Sequence, residues 1–406
     1  MAKRRAKIQP ARWHASQESD ELIFAVCDRY FSQLGRTAHD KGGHTENGAD
    51  SASETNTMGE RQYRGAASSV ADWVQKVKGR TDITREKIYP IFWEACNRGF
   101  LLLQPPAEHH LRKKLESSFS LHQHPGEITV VNVSGENAAQ HVTSTAADQI
   151  VELIEHVGKE KREKYPKNPE KQAVHLGMGA GFATMLVARR LAYKIRSGTA
   201  VPQIVLHAIS SGGFLPNEPH KSPSTYFSYF DPALMNVKFI ALFSATVVSN
   251  DDYENQKENP AIRSSFEKRD EIDIIVTSLA SAEHEHGLLG QYLTHLVGQR
   301  LISQTVLDRM FAAGWVGDVQ FRPYSVDGPL PEEVCPVRAV TLFELDELVE
   351  MAKDSTNGKH VVLVAGPCGE CGETKKHALI PLLANDKLRL WTHLIVDAKT
   401  AKELVE

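Results

Sequence analysis

Residues 174–192 read VHLGMGAGFATMLVARRLA, and the fold turns on how this stretch is read. An apolar run beginning at Ala173 meets three glycines, Gly177, Gly179 and Gly181, and passes straight into Met185, Leu186, Val187 and Leu191 at helical spacing. Strand, glycine turn and helix in succession form the unit from which parallel sheets are built. Glycines there let backbone N–H groups approach a ligand, and the following helix N-terminus offers partial positive charge to a phosphate or carboxylate. The spacing is GxGxG, not the dinucleotide fingerprint GxGxxG: Phe182 and Ala183 follow the third glycine, and no acidic residue closes the next strand. This argues against NAD, and no cofactor is implied. Close strand-to-helix packing accounts for the same glycines equally well.

Outward from this stretch, β-rich runs alternate with helical ones from residue 127 to the C-terminus. Strands are expected at 128–133, 173–176, 204–208, 237–243, 272–277, 360–364 and 393–396, and helices at 140–156, 182–195, 304–313, 342–352 and 375–383. The pattern predicts an α/β domain over 120–406 with a mostly parallel, Rossmann-like sheet flanked by helices. Of 406 residues, 41% are hydrophobic and 24% charged, as in globular proteins, with a net charge of −4. That near-neutrality excludes a chain coated in positive charge. Five dispersed cysteines, an odd number, suit reduced thiols better than a disulfide framework. No apolar run reaches the ~18 residues of a membrane span, and the basic N-terminus lacks the apolar core of a secretory signal, so the cytoplasm is the expected compartment.

The N-terminal part is helical. Residues 1–19 read as a basic flexible arm, and 20–35 show apolar residues at helical spacing. Residues 37–66 contain no Val, Ile, Leu, Phe or Trp and read as a flexible insertion. Val70, Trp73, Val74 and Val77 share a helix face up to Gly79, and a further helix follows Thr84 and is expected to close at Gly99. A short strand at 100–104 stops at Pro105 and Pro106. Three helices with a tight turn between the last two, and a strand after them, make a helix-turn-helix domain over 20–115 with a wing-like finish.

Other junctions carry chemistry. Ser210, Ser211, Gly212 and Gly213 leave the end of a strand and form a second anion-friendly loop, though turn chemistry alone explains it. Glu283, His284, Glu285 and His286 follow the strand at 272–277. Two histidines beside carboxylates can ligate a metal, but the remaining ligands are not identifiable by spacing, and a solvated loop is the plainer reading. Cys368 and Cys371 form a CxxC with no companion motif; such a pair binds metal, cycles as a disulfide or does neither. No metal is assigned. Neither GxSxG nor HExxH is present. Lys375 and Lys376 open a helix, a placement that favours an anionic ligand between them and the helix dipole. Asp318, in a glycine-bounded turn, can accept sugar hydroxyls or simply cap the turn.

GMGAGFATMLVA (177–188), AGWVGDVQFRPYSVDG (313–328), VVLVAGPCGECGETKKHALIPLL (361–383) and the terminal WTHLIVDAKTAKELV (391–405) come in an order that resembles the SorC family of sugar-responsive transcriptional regulators. The resemblance implies an N-terminal helix-turn-helix and an effector domain similar in fold to ribose-phosphate isomerases, glucosamine-phosphate deaminases and CoA-transferases. It implies two partners, a DNA operator and a phosphorylated sugar or other small carbohydrate, and assembly as a homodimer or homotetramer, with no membrane. Gly177, Gly179 and Gly181 would receive the phosphate, with Thr184 adding a hydroxyl. Ser211 and Gly212 would line the neighbouring loop, Asp318 would bind hydroxyls, and Lys375 or Lys376 would pair with the phosphate. Thr84, Arg85 and Lys87 would meet DNA.

The chain departs from the family pattern where Phe182 and Ala183 replace a hydroxyl residue, and where residues 367–372 lengthen the C-terminal loop. Pro90 falls inside the DNA-reading helix, at an expected cost of ~3 kcal/mol and a kink. A sugar-phosphate isomerase or deaminase on the same fold would need a general base, for which Glu283 and His286 are the candidates at a strand end. A sensor that has lost DNA binding is a third possibility, raised by Pro90. Residues 1–12 carry five basic and no acidic residues, and 79–114 seven basic against four acidic. The remainder is therefore acidic, and a mildly basic N-terminal module joined to an acidic body is the expectation.

Overall fold

The computed structural model describes residues 14–39, 55–98, 100–101, 105–121, 124, 126–135, 137–196, 201–212 and 218–406. The chain divides into two compact units, Met1–Leu103 and Gln104–Glu406. Residues 1–13 of the expected basic, flexible arm lie outside the described residues, and 14–19 are not an arm: Ala15–Gln17 form a 3-10 turn and Glu18 is buried against Arg80.

The first unit holds α1 (Asp20–His39), α2 (Thr55–Lys78) and α3 (Arg85–Asn97). Ile23 and Val26 of α1, Val70 and Val74 of α2, and Ile88 and Ile91 of α3 are fully buried together with Ile83. Each such side chain contributes about 1.5–3 kcal/mol. Two arginines tie the ends of these helices. Arg80 forks onto both carboxylate oxygens of buried Glu18 at 2.7 Å each, and Arg98 reaches Asp20 and Glu94 at 2.7 and 2.6 Å.

Three expectations change here. Helix occupies 37–39 and 55–66 of the span expected to be an insertion, with 40–54 outside the described residues. The stretch 55–66 lacks large aliphatics, but half of its residues (Met58, Glu60, Arg61, Gln62, Arg64 and Ala66) have a helical backbone preference that local hydrophobicity does not register. Phe100 and Leu101 form a bend, not a strand, and both donate N–H to the Ala95 carbonyl, closing the C-terminus of α3; Gly99 and 102–104 lie outside the described residues. The helical unit also ends at Leu103, not 115: α4 (His109–Ser118) packs in the second unit, on the first strand and the C-terminal helix. Pro90 does sit within α3, which continues through it. The ring is exposed, so the Glu86 carbonyl that loses its donor is on the water side.

The second unit contains β1 (Glu127–Val131), β2 (Val174–Met178), β3 (Ile204–Ala208), β4 (Val237–Ile240), β5 (Val247–Ser249), β6 (Ile274–Ser281), β7 (Gly317–Val319), β8 (Arg322–Ser325), β9 (Gly328–Pro329), β10 (Val337–Ala339), β11 (His360–Ala365) and β12 (His393–Asp397). The main sheet runs β1-β12-β11-β6-β2-β3-β4, parallel throughout. Those seven strands are the seven expected from sequence. The continuous Val, Ile and Leu of the inner strands follow from burial on both faces, while the edge strand β4 leaves Lys238 exposed. The helices α5 (Ala138–Lys164) and α6 (Phe182–Arg196) cover one face, and the helices Leu345–Lys353, Lys376–Ala384 and Ala398–Val405 cover the other. From β2 the chain steps outward through β3 to β4, then returns to β6 on the other side of β2 and continues to β11 and β12. The crevice at the carboxyl ends of β2 and β6 is thus the topological switch point, where open α/β sheets bind ligands. An antiparallel ribbon, β7–β8–β9, grows from the far end of β6 and hangs over this crevice, with Ala280 opposite Asp318.

Candidate functional site

A cleft of about 90 Å³, open to solvent on one side, lies at the switch point. Its walls come from the turn after β2 (Gly181, Phe182), the end of β6 (Ser278–Ser281) with His284 and His286 beyond it, the ribbon (Asp318, Gln320) and the loop after β11 leading to Lys375.

The ribbon aims two side chains into the cleft. Its β7–β8 turn places Gln320 and Phe321 at φ +52° and +62°, the left-handed conformation that a two-residue hairpin of this kind demands of both central residues. Neither is a glycine or an asparagine, so the turn is strained by about 1–3 kcal/mol per residue. It is held by burial of Phe321 and by the Gln320 amide, which donates to Thr277 Oγ1 at 2.6 Å. Gly179 leaves room for that amide: a Cβ at 179 would lie 2.2 Å from Gln320 Nε2. Asp318, two residues before the turn, is 5% exposed. Burial pushes its carboxyl up to about 7, against the pull of the Lys375 ammonium and a hydrogen bond from the Phe321 amide. The Lys375 ammonium is itself lowered by desolvation and donates to the Leu279 carbonyl at 2.8 Å.

Among the described residues, Gln320 Oε1, Ser281 Oγ and His284 Nδ1 are buried polar atoms with no hydrogen-bond partner, and all three residues line this cleft. Each such atom costs about 1–3 kcal/mol until something satisfies it. A polyhydroxylated ligand in the cleft, whose hydroxyls both donate and accept, would do so. At the rim, His284, Cys368 and Cys371 bring three metal-binding atoms within 4.8 Å of one another.

His284, His286 and Cys368, noted in the sequence for their chemistry, line this cleft, and of the residues that the family resemblance assigns to the effector, Gly181, Asp318 and Lys375 come together here. The others do not line the cleft. Gly177 is a packing glycine whose absent Cβ makes room for Ile209, 2.7 Å away. Thr184 is fully buried, its hydroxyl bonded to the Gly181 carbonyl at 3.0 Å. Ser211 is fully buried and anchored to Ala245 and Val340, and Gly212 packs on Thr246. Lys376 starts its helix outside the cleft. The Gly181 amide is engaged by the Lys221 carbonyl and the Tyr226 hydroxyl, each at 3.0 Å, so the turn offers the first residues of α6 in place of its glycine amides. Tyr226, Gln320 and Ser281 escaped sequence reasoning. Gln320 could have been flagged only by its place in a two-residue turn between strands too short to recognise.

In the first unit, Thr84 precedes α3 exposed, and Arg85 and Lys87 are half-buried on its first turn. Lys87 Nζ donates to the Asp82 carbonyl at 2.7 Å. Further along, α3 exposes Tyr89 (43%) and Trp93 (68%), one turn apart.

A small helical unit and an α/β domain with a cleft at its switch point define the class. No family model matches the chain, and no curated protein does. Among solved structures, the full-length sorbitol operon regulator SorC from Klebsiella pneumoniae has a TM-score of 0.51 at 14% identity, covering 96% of this chain and 100% of that one. A protein described as a probable sor operon regulator from Shigella flexneri has a TM-score of 0.51 at 15% identity, covering 73% of this chain and 98% of that one. The fold of the chain is therefore that of the SorC regulators. Among the described residues, no helix is long and apolar enough to cross a membrane.

Proposed function

We propose that the chain is a DNA-binding transcriptional regulator controlled by a carbohydrate or phosphorylated sugar bound in the second unit. One observation carries this reading: the likeness in fold runs the full length of a sugar-operon regulator, with a cleft where that fold class binds ligands. In the cleft, Lys375 and the first turn of α6 receive the phosphate, a charge-assisted contact, while Asp318 and Gln320 accept hydroxyls and select among sugars. Thr84, Arg85 and Lys87 meet DNA. The protein works as a homodimer or homotetramer whose geometry sets the spacing of half-sites, and the effector acts by binding one geometry more tightly than another. It is a sensor, not a catalyst. His286 is drawn to Glu370 at 3.0 Å, and Glu283 lies exposed, 4.0 Å from His377. Neither pairing resembles a base poised on a substrate.

The test is a thermal-shift screen of phosphorylated sugars on the full chain, followed by binding to genomic DNA fragments at low salt with and without each hit. A hit that changes DNA affinity is expected; a ligand at 100 times its Kd adds ~2.7 kcal/mol of stability. Turnover of a sugar phosphate, or no DNA binding under any condition, refutes the reading. Exposed Tyr89 and Trp93 on α3 favour one alternative, a sensor acting through protein contacts, and effector binding without DNA binding would select it.

A further inference from the structure

The CxxC after β11 and the histidine after β6 lie far apart in sequence, yet the fold brings His284, Cys368 and Cys371 to one corner of the cleft, their donor atoms within 4.8 Å. The cysteine loop is a closed knuckle. Cys368 donates its N–H to the Glu373 carbonyl at 2.9 Å, and Gly372 donates back to the Cys368 carbonyl at 3.0 Å. Gly372, at φ +73°, supplies the left-handed residue that lets the chain turn after the second cysteine. Gly369 lies so close to the Phe182 ring that a Cβ there would meet it at 2.2 Å. Between the cysteines, Glu370 is bound by Lys221 at 3.2 Å and His286 at 3.0 Å. The loop is thus pinned from three sides, and both cysteines turn toward each other. His284 Nδ1 is buried and lacks a hydrogen-bond partner among the described residues.

We propose that His284, Cys368 and Cys371 bind a zinc-type divalent metal ion in tetrahedral geometry, with the fourth position open to the cleft. A tetrahedral ion at about 2.3 Å from sulfur and about 2.0–2.1 Å from nitrogen separates its donors by roughly 3.5–3.8 Å, so closing the cluster takes about 1 Å of thiol and ring rotation. Two thiols lose their protons to solvent as the ion binds, and two thiolates with one divalent cation make a neutral centre. Neutrality suits a site beside the Lys375 ammonium. Soft thiolate and imidazole donors favour zinc or cobalt over magnesium or calcium. Metal binding stands independently of the sugar reading, because its readout needs neither effector nor DNA.

The test uses the untagged, reduced full chain with cobalt(II) as the probe and elemental analysis for zinc. One equivalent per chain is expected, with thiolate-to-cobalt charge-transfer absorption and the visible bands of a tetrahedral ion. Cys371→Ser, an exposed position that the fold tolerates, and His284→Ala each abolish that spectrum. His295→Ala, at an exposed histidine outside both the donor set and the loop, keeps it. Substoichiometric metal in the parent chain overturns the proposal, as does an unchanged cobalt spectrum in Cys371→Ser. Formation of a Cys368–Cys371 disulfide in place of metal uptake, seen as loss of two titratable thiols and a two-dalton fall in mass, overturns it as well.

Discussion

Replacing Asp318 by Asn separates what the cleft costs the fold from what it does for a ligand. The Asp318 carboxyl stands at about 7 against an ordinary 3.8, mainly because it is desolvated. A folded value above the unfolded one means that the fold favours the protonated acid. The stability this contributes is complete below about pH 3.8 and is lost as pH rises through about 7. At 1.36 kcal/mol per tenfold change in proton affinity, the loss has a ceiling of about 4 kcal/mol. Asparagine has nearly the same shape, keeps an oxygen for the Phe321 amide and does not ionise. The stability advantage of Asp318→Asn over the parent should therefore grow by about 3–4 kcal/mol between about pH 4 and about pH 8. For a unit of about 300 residues that is ~6 °C in Tm. Paired melting curves of the two full chains across this range measure it. Effector affinity should move oppositely, rising in the parent as the carboxyl ionises and staying low and flat in the variant. Parallel melting profiles for the two proteins from acid to neutral pH would refute the placement of Asp318 as a buried, desolvated acid.

Lys375→Met should weaken a phosphorylated effector by roughly 10- to 100-fold, the worth of one charge-assisted hydrogen bond, while barely altering an unphosphorylated sugar; isothermal titration of the pair decides it. Gly179→Ala forces a Cβ onto the Gln320 amide and should cost about 1–3 kcal/mol of stability along with the effector response, read by thermal shift with and without ligand. Pro90→Ala restores the hydrogen bond to the Glu86 carbonyl and should stabilise the helical unit by about 1–3 kcal/mol, seen in denaturant unfolding. Arg85→Ala with Lys87→Ala should reduce the slope of log K against log salt for DNA by about 0.9 for each phosphate that the pair no longer neutralises.

The inner strands of the main sheet were legible because they are buried on both faces and so read as apolar runs bounded by turns, with helices between, and the edge strands β1 and β4 keep enough Val, Ile and Phe to be read the same way. Their alternation needs no long-range information. The site was legible only where it rides on those strands. Gly181 stands three residues beyond β2 and Lys375 at the end of the loop that leaves β11, and the sequence marks both as loop-to-helix junctions. Gly177, Gly179 and Thr184 carry the same local signature but turn their small or hydroxylated side chains into packing. A glycine that admits a ligand and one that admits Ile209 or Gln320 look identical until the partner element is known.

The ribbon is the sharper case. Its strands span two to four residues, too few for periodicity, and its turn uses Gln320 and Phe321 where turn chemistry calls for asparagine and glycine. Local rules therefore read 317–329 as loop. That violation carries functional information, because a turn strained by a few kcal/mol persists only if the surroundings over-determine it. Phe321 buries its ring and Gln320 locks onto Thr277, and the result is a carboxylic acid and an amide held over the switch point, shielded from bulk solvent. The same cleft gathers three unpartnered polar atoms and a desolvated lysine. Strain, desolvation and unmet hydrogen bonds all raise the free energy of the unliganded domain, and a ligand that relieves them gains affinity for the one conformation in which they meet. A conformation that is costly without ligand and stabilised with it supplies the differential binding a switch requires.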